Sequence, residues 1–356
     1  MRQLRSFIFS SSTLPKPPRP TAAFWVALIL CGLVRFALEP LRDVPRADLE
    51  LEDIRLLRTR EELFIKRMPE PARVVVAGSS RTLYSIAPGL LAGRLGLAEH
   101  GLRNLSFDGG HPWDALVLFR RNPRLLEEAE LVILDVDPLH VILNEPLPER
   151  YYRLMTLRER LRVPGPEKVR AVANWILPVA SIRRPLNVWL LELKTYAEGG
   201  PTWESRIVMP WWHTVPGEEE LREMFERDDA MRPETAARRT YENHRFNRVT
   251  EFALADLRAL LERHGVRLLI HSPPLHPDYL AWVERNEHAK QAYASYLEFV
   301  ESLRSPMVDV VTWHRPEQVG LSADRLLDWG HLDRRGAEIY SSALADRILG
   351  ERFVVR

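Results

Sequence analysis

The chain has few or none of several features that mark common classes of protein. It contains a single cysteine, Cys31, among 356 residues, which excludes internal disulfide bonds and zinc sites built from cysteines. The formal net charge is only +1, so nothing suggests a nucleic-acid partner. The 17 glycines form no P-loop or dinucleotide-binding pattern, and no His-Glu-x-x-His motif occurs. We therefore expect no cofactor and no metal ion.

A serine turn directly after an apolar run is the most informative feature that is present. The segment from Arg73 to Ser80 reads Arg-Val-Val-Val-Ala-Gly-Ser-Ser, which predicts a buried strand and a sharp turn that exposes Ser80 at the carboxyl edge of a sheet. A serine nucleophile needs an adjacent base, which a third group orients. Near the other end of the chain, Asp328 precedes His331 by three residues. Ser80, His331 and Asp328 are therefore predicted to be nucleophile, base and orienting acid.

Each of these motifs alone has an ordinary explanation. Gly78-Ser79-Ser80 could be a simple tight turn, and Asp328 could cap a helix that begins near Leu332. The conjunction favours catalysis, because the serine follows the first strand of the folded region and the histidine precedes its last predicted helix.

The motifs resemble those of the SGNH (GDSL-like) hydrolase superfamily. Gly78-Ser79-Ser80 is similar to the first block, with Ser80 in the place of the nucleophile and Ser79 where many members have aspartate. Asn104 is followed five residues later by Gly109, as in the second block. The resemblance implies that the backbone N–H groups of Ser80 and Gly109 hold the oxyanion, with Gly110 as a further candidate.

Two further blocks of the family pattern can be compared. Asp328 and His331, followed by Gly336, are similar to the fifth block. The third block departs, because the chain has Asp135-Val136-Asp137 after a strand where the family has Gly-x-Asn-Asp. An ionised Asp137 cannot donate a hydrogen bond, so this chain is expected to lack the amide donor of the family.

Other polar residues near the predicted strand ends are possible substrate contacts: Arg81, Asn104, Asp137, His271 and His276. The last two flank a proline-rich loop that resembles one in envelope members of the superfamily. A histidine that only satisfies its own loop is the alternative for both.

Alternating strand-like and helix-like runs predict an α/β fold with a mainly parallel sheet. The resemblance implies a three-layer, flavodoxin-like SGNH arrangement. Strands are expected at residues 73–77, 102–105, 131–135, 266–271 and 308–312. Helices are expected at 87–97, 113–120, 238–264, 278–303 and 335–349.

The alternation breaks down between residues 140 and 240, which predicts a helical insertion. Five tryptophans lie there: Trp175, Trp189, Trp203, Trp211 and Trp212. They could cover the site as a cap or fill a small second core, and the sequence does not decide between the two.

An apolar run from Ala22 to Leu38 is long enough to cross a bilayer. Basic residues precede it without any acidic one, which places the N-terminus inside. We expect a cytoplasmic tail at 1–20, a transmembrane helix at 21–39, a membrane-proximal helix at 40–70 and an external SGNH-like domain at 71–356. A cleaved signal peptide, a lipoprotein signal and a buried helix are the alternatives.

This layout is similar to that of DltD-type and alginate-acetylation proteins, a membrane-anchored branch of the superfamily. The resemblance implies a serine esterase or O-acyltransferase that acts on an ester-linked acyl group of an envelope or secreted glycan. It also implies three partners, namely the acylated glycan, the bilayer of the bacterial cytoplasmic membrane and a membrane-bound acyltransferase. A non-catalytic protein of the same fold that binds a glycan or a partner is the alternative.

Overall fold

The computed structural model describes residues 71–98, 100–142, 156–162, 227–242 and 246–350, with a few isolated positions outside these ranges. The predicted tail, most of the predicted anchor and membrane-proximal helix, and most of the insertion lie outside the described residues. Within the part of the chain that is described, no helix is long and apolar enough to cross a membrane.

A five-stranded parallel sheet forms the centre of the fold. Its strands are β1 Val74–Ala77, β2 Leu102–Asn104, β3 Leu131–Asp135, β4 Arg267–Ser272 and β5 Val308–Thr312, in the order β2-β1-β3-β4-β5. Every pairing is parallel. All residues of β1 and β3 are buried, as expected where helices cover both faces of a parallel sheet. The strand order reverses between β1 and β3, and ligands of such sheets bind at the carboxyl ends of the strands beside this reversal.

Helices cover the sheet on both sides. Along the chain they are α1 Ser80–Ser85, α2 Pro88–Arg94, α3 Pro112–Arg121, α4 Pro138–Ile142, α5 Leu157–Arg162, α6 Pro233–Tyr241, α7 Arg248–His264, α8 Pro277–Arg285, α9 Glu287–Ser302 and α10 Arg334–Gly350. One apolar core joins the sheet to α3, α6, α7, α8 and α9. A second core joins the other face to α2 and α10. The predicted three-layer α/β arrangement with a parallel sheet is therefore confirmed.

All five predicted strands are present, but two predicted helices are each divided in two. The range 238–264 contains the end of α6 and all of α7, whose N-cap Asn247 accepts a hydrogen bond from the Val249 N–H at 3.1 Å. The range 278–303 is divided at Asn286, whose side chain accepts from the Ala289 N–H. Apolar periodicity continues across both breaks, so only the asparagine caps could have indicated them.

Candidate active site

The turn after β1 presents Ser80 as the first residue of α1. Gly78 has φ +157°, and a Cβ added there would lie 2.8 Å from Thr82 Oγ1 and 3.0 Å from the Asp135 carboxyl carbon. A side chain therefore does not fit at this position. Ser79 caps the helix, because its hydroxyl accepts a hydrogen bond from the Arg81 N–H at 3.2 Å. The turn was predicted from the sequence, but the short helix that begins with Ser80 was not.

The structure brings Ser80, His331 and Asp328 together. Ser80 Oγ lies 2.8 Å from His331 Nε2, although the two residues are 251 positions apart in the chain. On the other side of the ring, His331 Nδ1 lies 2.6 Å from Asp328 Oδ2. Asp328 Oδ1 also accepts hydrogen bonds from the N–H groups of Gly330 and His331, both at 2.8 Å. This is the hydrogen-bonded order that activates a serine hydroxyl.

The surroundings of Asp328 keep it ionised. Burial by itself would raise the pKa of this carboxyl, but His331 and the two backbone N–H groups outweigh burial and lower it. An ionised Asp328 accepts only, so it fixes the proton of the imidazole on Nδ1 and leaves Nε2 to face Ser80.

Aromatic rings enclose the imidazole of His331. Phe225 stacks on it with 5.2 Å between ring centroids and 9° between planes. Tyr84 and Trp329 contact it edge-on at 5.0 and 6.1 Å. Phe225 belongs to the predicted insertion, and Tyr84 stands one helical turn after Ser80. Neither ring contact was predicted from the sequence. If α1 had been predicted, the position of Tyr84 one turn after Ser80 would have indicated its place near the site.

The turn after β2 contains Gly109 and Gly110 (the glycine turn) and lies next to the turn of Gly78, Ser79 and Ser80, which holds the predicted nucleophile (the nucleophile turn). Gly109 has φ +65°, and a Cβ on Gly110 would lie 2.1 Å from the Gly78 carbonyl oxygen. The Gly110 N–H donates to the Phe107 carbonyl at 2.9 Å, so the expectation that it could hold an oxyanion is wrong. Ser80, as the first residue of a helix, has an N–H without an intrahelical acceptor. Ser80 and Gly109 remain the predicted donors.

Asp137 and Arg81 form a buried ion pair. Arg81 Nη1 lies 3.3 Å from Asp137 Oδ2, and the two side chains are only 1 and 2% exposed. The Arg81 guanidinium also donates to the carbonyl oxygens of Pro273 and Pro274. The expected substrate contacts of Arg81 and Asp137 are therefore wrong, because both groups are buried and bonded to the protein.

The remaining expected contacts have structural partners of their own. Asn104 Oδ1 accepts from the Ser106 N–H at 3.0 Å and so shapes the turn that leads to Gly109. His271 is buried between Thr82 and Tyr340, at 3.1 and 2.9 Å from their hydroxyl oxygens. Burial lowers the pKa of His271 to about 3, so this neutral ring belongs to the core and is not a substrate contact.

His276 is the partly exposed member of this set, with 23% of its side chain accessible. It caps α8 by accepting a hydrogen bond from the Asp278 N–H at 3.1 Å. This is the ordinary role of a loop histidine, and its role as a substrate contact stays a prediction.

One buried group within the described residues has the composition of a metal site. Ligand atoms of Asp135, Asp137 and His140 lie within 4.8 Å of one another. This group was not predicted from the sequence, because His140 was not among the candidate site residues. Asp135 accepts from the Ser79 hydroxyl at 2.5 Å, and the Arg81 cation already neutralises Asp137. A fixed cation at this distance opposes a second, divalent one, so we interpret the group as a hydrogen-bonded cluster.

No protein-family model matches the chain, and no curated protein matches it. Among solved structures, it is similar to a candidate acylhydrolase of Bacteroides fragilis, with 10% identity and a TM-score of 0.37 over 85% of this chain and 98% of the other. It is also similar to a GDSL-like lipase of Bacteroides thetaiotaomicron, with 9% identity and a TM-score of 0.38 over 83 and 99%. Both TM-scores lie below 0.5, so the chemistry of the site has to be judged from its own geometry.

Proposed function

We propose that the protein is a serine ester hydrolase or acyltransferase of the SGNH type that works through an acyl-enzyme. The observation that carries the proposal is the relay from Ser80 Oγ through His331 to Asp328, with distances of 2.8 and 2.6 Å. A serine that merely turned the chain would not need a histidine on its hydroxyl and an ionised carboxylate behind that histidine.

In the proposed reaction, the Ser80 hydroxyl attacks the carbonyl carbon of an ester while His331 Nε2 takes its proton. The oxyanion of the tetrahedral intermediate is held by the N–H groups of Ser80 and Gly109. The intermediate collapses when its C–O bond to the alcohol breaks and the imidazolium returns the proton to that alcohol. Water, or a sugar hydroxyl in the transfer reaction, then attacks the acyl-serine with His331 again as base.

The apolar run at residues 22–38 and its basic flank support a wider proposal. The protein would be anchored by one helix in the bacterial cytoplasmic membrane, with its active domain outside, and would modify an envelope or secreted glycan beside a membrane-bound acyltransferase. The basis of this part is the amino-terminal sequence and its resemblance to anchored members of the superfamily.

Covalent labelling tests the catalytic proposal. A fluorophosphonate should react with the chain at Ser80, located by mass spectrometry of the adduct. Ser80→Ala should abolish labelling, and His331→Ala should slow it by at least about 10³-fold. Ser295→Ala, which removes an exposed hydroxyl on α9, is the matched control and should label normally.

A folded protein that does not label would contradict catalysis. It would favour the second candidate function, a non-catalytic protein that binds a glycan or a partner in the same cleft. The feature that favours this alternative is Asp137, a carboxylate where the family pattern has an amide donor.

A further inference from the structure

The two residues that flank Ser80 are each tied to a different aspartate at the carboxyl end of β3. On one side, the Ser79 hydroxyl donates to Asp135 Oδ2 at 2.5 Å, and the Ser79 N–H points to the same oxygen at 3.2 Å. On the other side, Arg81 pairs with Asp137. All four side chains are buried. These two contacts with β3 therefore hold the backbone in place on both sides of Ser80.

Arg81 also contacts the loop that contains Asp328 and His331. Its Nε lies 3.5 Å from the carbonyl oxygen of Gly330, the residue directly before His331. A Cβ added to Gly330 would lie 2.7 Å from that Nε, so the loop packs directly on the guanidinium. The arginine of this ion pair therefore joins the residue after Ser80 to the residue before His331.

His140 links the same two aspartates to the glycine turn. Its Nε2 lies 3.1 Å from the Gly110 carbonyl oxygen, while its Nδ1 lies 3.4 Å from Asp135 and 3.7 Å from Asp137. The aspartate pair is thus connected to every segment that contributes to the site: the nucleophile turn, the glycine turn and the loop of Asp328 and His331.

We infer that Asp135 and Asp137 are positioning residues that hold the nucleophile turn and the acid-base loop in register, and that Asp137 is not a disabled oxyanion donor. The inference rests on the proposed function. The Asp137 carboxylate lies 3.3 Å from Arg81 Nη1 and accepts a hydrogen bond from the N–H of His140 at 3.2 Å. Burial alone would raise the pKa of Asp137, but its electrostatic interactions with His140 and Arg81 and the hydrogen bond from the His140 N–H outweigh burial and lower it, so at neutral pH it is an anion and accepts only.

Asp137→Asn separates the two explanations, because they predict opposite effects. If Asp137 stands for a lost amide donor, asparagine restores that donor and raises kcat. If it positions the site through Arg81, asparagine leaves the guanidinium without its counter-ion, and kcat and the labelling rate of Ser80 fall by about 10- to 100-fold with KM little changed, as expected for a misplaced catalytic group.

Asp309→Asn is the matched control for loss of a buried carboxylate. Asp309 lies on β5, is 8% exposed and pairs with Arg304 and Arg347, remote from Ser80. It should lower the urea midpoint of unfolding while leaving the labelling rate of Ser80 unchanged. A fall in labelling equal to that of Asp137→Asn would overturn the inference, because loss of stability alone would then explain both.

The double variant Arg81→Met/Asp137→Leu removes both charges at once and leaves no unpaired ion. Replacing a buried ion pair by apolar residues often keeps or raises stability. This variant therefore tests whether the ion pair positions Ser80 and His331, in a protein that stays folded. We expect a protein at least as stable as the parent whose Ser80 labels at least about 10-fold more slowly.

A double variant that labels as fast as the parent would overturn the inference while leaving the proposed function intact. Failure of the unaltered chain to label at all would overturn the proposed function, and the positioning role with it.

Discussion

An arginine and a carboxylate bridge strands β1 and β3 at each end of the pair, but the two bridges differ in their exposure to solvent. Before β1 and β3, Arg73 Nε lies 2.7 Å from Glu130 Oε1, and these side chains are 31 and 34% exposed. After the same strands, Arg81 and Asp137 lie 3.3 Å apart and are 1 and 2% exposed. The two pairs join the same strands and share one chemistry, so burial is the main difference between them.

That difference indicates where the fold accepts an energetic penalty. An exposed pair is solvated in both the folded and unfolded states and contributes about 0–1 kcal/mol. A buried pair loses its water and costs several kcal/mol before its attraction is counted, so an apolar replacement is often as stable. Stability alone does not explain an ion pair at the carboxyl end, whereas the proposed positioning of Ser80 would explain it. The following experiments, from the largest expected effect to the smallest, test this contrast.

Asp328→Asn should produce the largest effect, at the carboxyl end. The amide can donate to His331 Nδ1, which would place the imidazole proton on Nε2, the atom that has to accept from Ser80. We expect a loss of about 10⁴-fold in kcat for hydrolysis of an activated ester, with little change in the far-ultraviolet spectrum. An activity within about tenfold of the parent would contradict the assigned role of Asp328.

Acid should destabilise the protein through buried histidines at the carboxyl ends of β4 and β5. Burial, with a smaller contribution from Arg81, lowers the pKa of His271 and of His314 to about 3. Unfolded histidine titrates near about 6.5, so between these values the unfolded state binds more protons. Stability is then lost as pH falls, at up to about 1.4 kcal/mol per pH unit for each histidine.

Urea unfolding between about pH 7 and pH 5 measures this loss. His314→Gln should reduce the slope of unfolding free energy against pH, and His264→Gln, which replaces an exposed histidine, is the control for the substitution itself. Equal slopes for the parent and His314→Gln would show that His314 is not buried in its neutral form.

Gly110→Ala should disturb the site at the carboxyl end of the sheet through a steric clash. A Cβ at this position would lie 2.1 Å from the Gly78 carbonyl oxygen, so the glycine turn has to move away from the nucleophile turn. We expect a loss of about 1–3 kcal/mol in unfolding free energy together with slower labelling of Ser80. Gly93→Ala in α2 is the control, because nothing lies within 4 Å of its added Cβ; it should stabilise by about 0.4–1 kcal/mol.

Glu130→Gln should have the smallest effect, at the amino end. The partly exposed pair with Arg73 contributes little, so the unfolding free energy should change by less than about 1 kcal/mol and labelling of Ser80 should not change. A loss as large as that of Asp137→Asn would remove the contrast between the two ends of the sheet.

Much of the fold could be predicted from the sequence, because its signals are local. Mainly apolar runs located β1, β3, β4 and β5, a short edge strand was predicted where β2 lies, and the alternation of elements predicted a parallel sheet covered by helices. The helix breaks at Asn247 and Asn286 were missed because apolar periodicity continues through them. The short helix that begins at Ser80 was missed because six residues carry too little periodicity to be distinguished from a turn.

For the candidate site, the sequence by itself determined the chemistry of Ser80, His331 and Asp328, since few residue types can serve as nucleophile, base and orienting acid and each stands at a recognisable element boundary. Tertiary structure decided the rest. Gly110 was lost as a donor because Phe107 accepts its N–H, Phe225 reached His331 from the insertion, and Arg81 found Asp137 across the strand reversal. Hydrogen bonds and ion pairs between distant segments depend on direction and distance in space, which spacing along the chain does not specify.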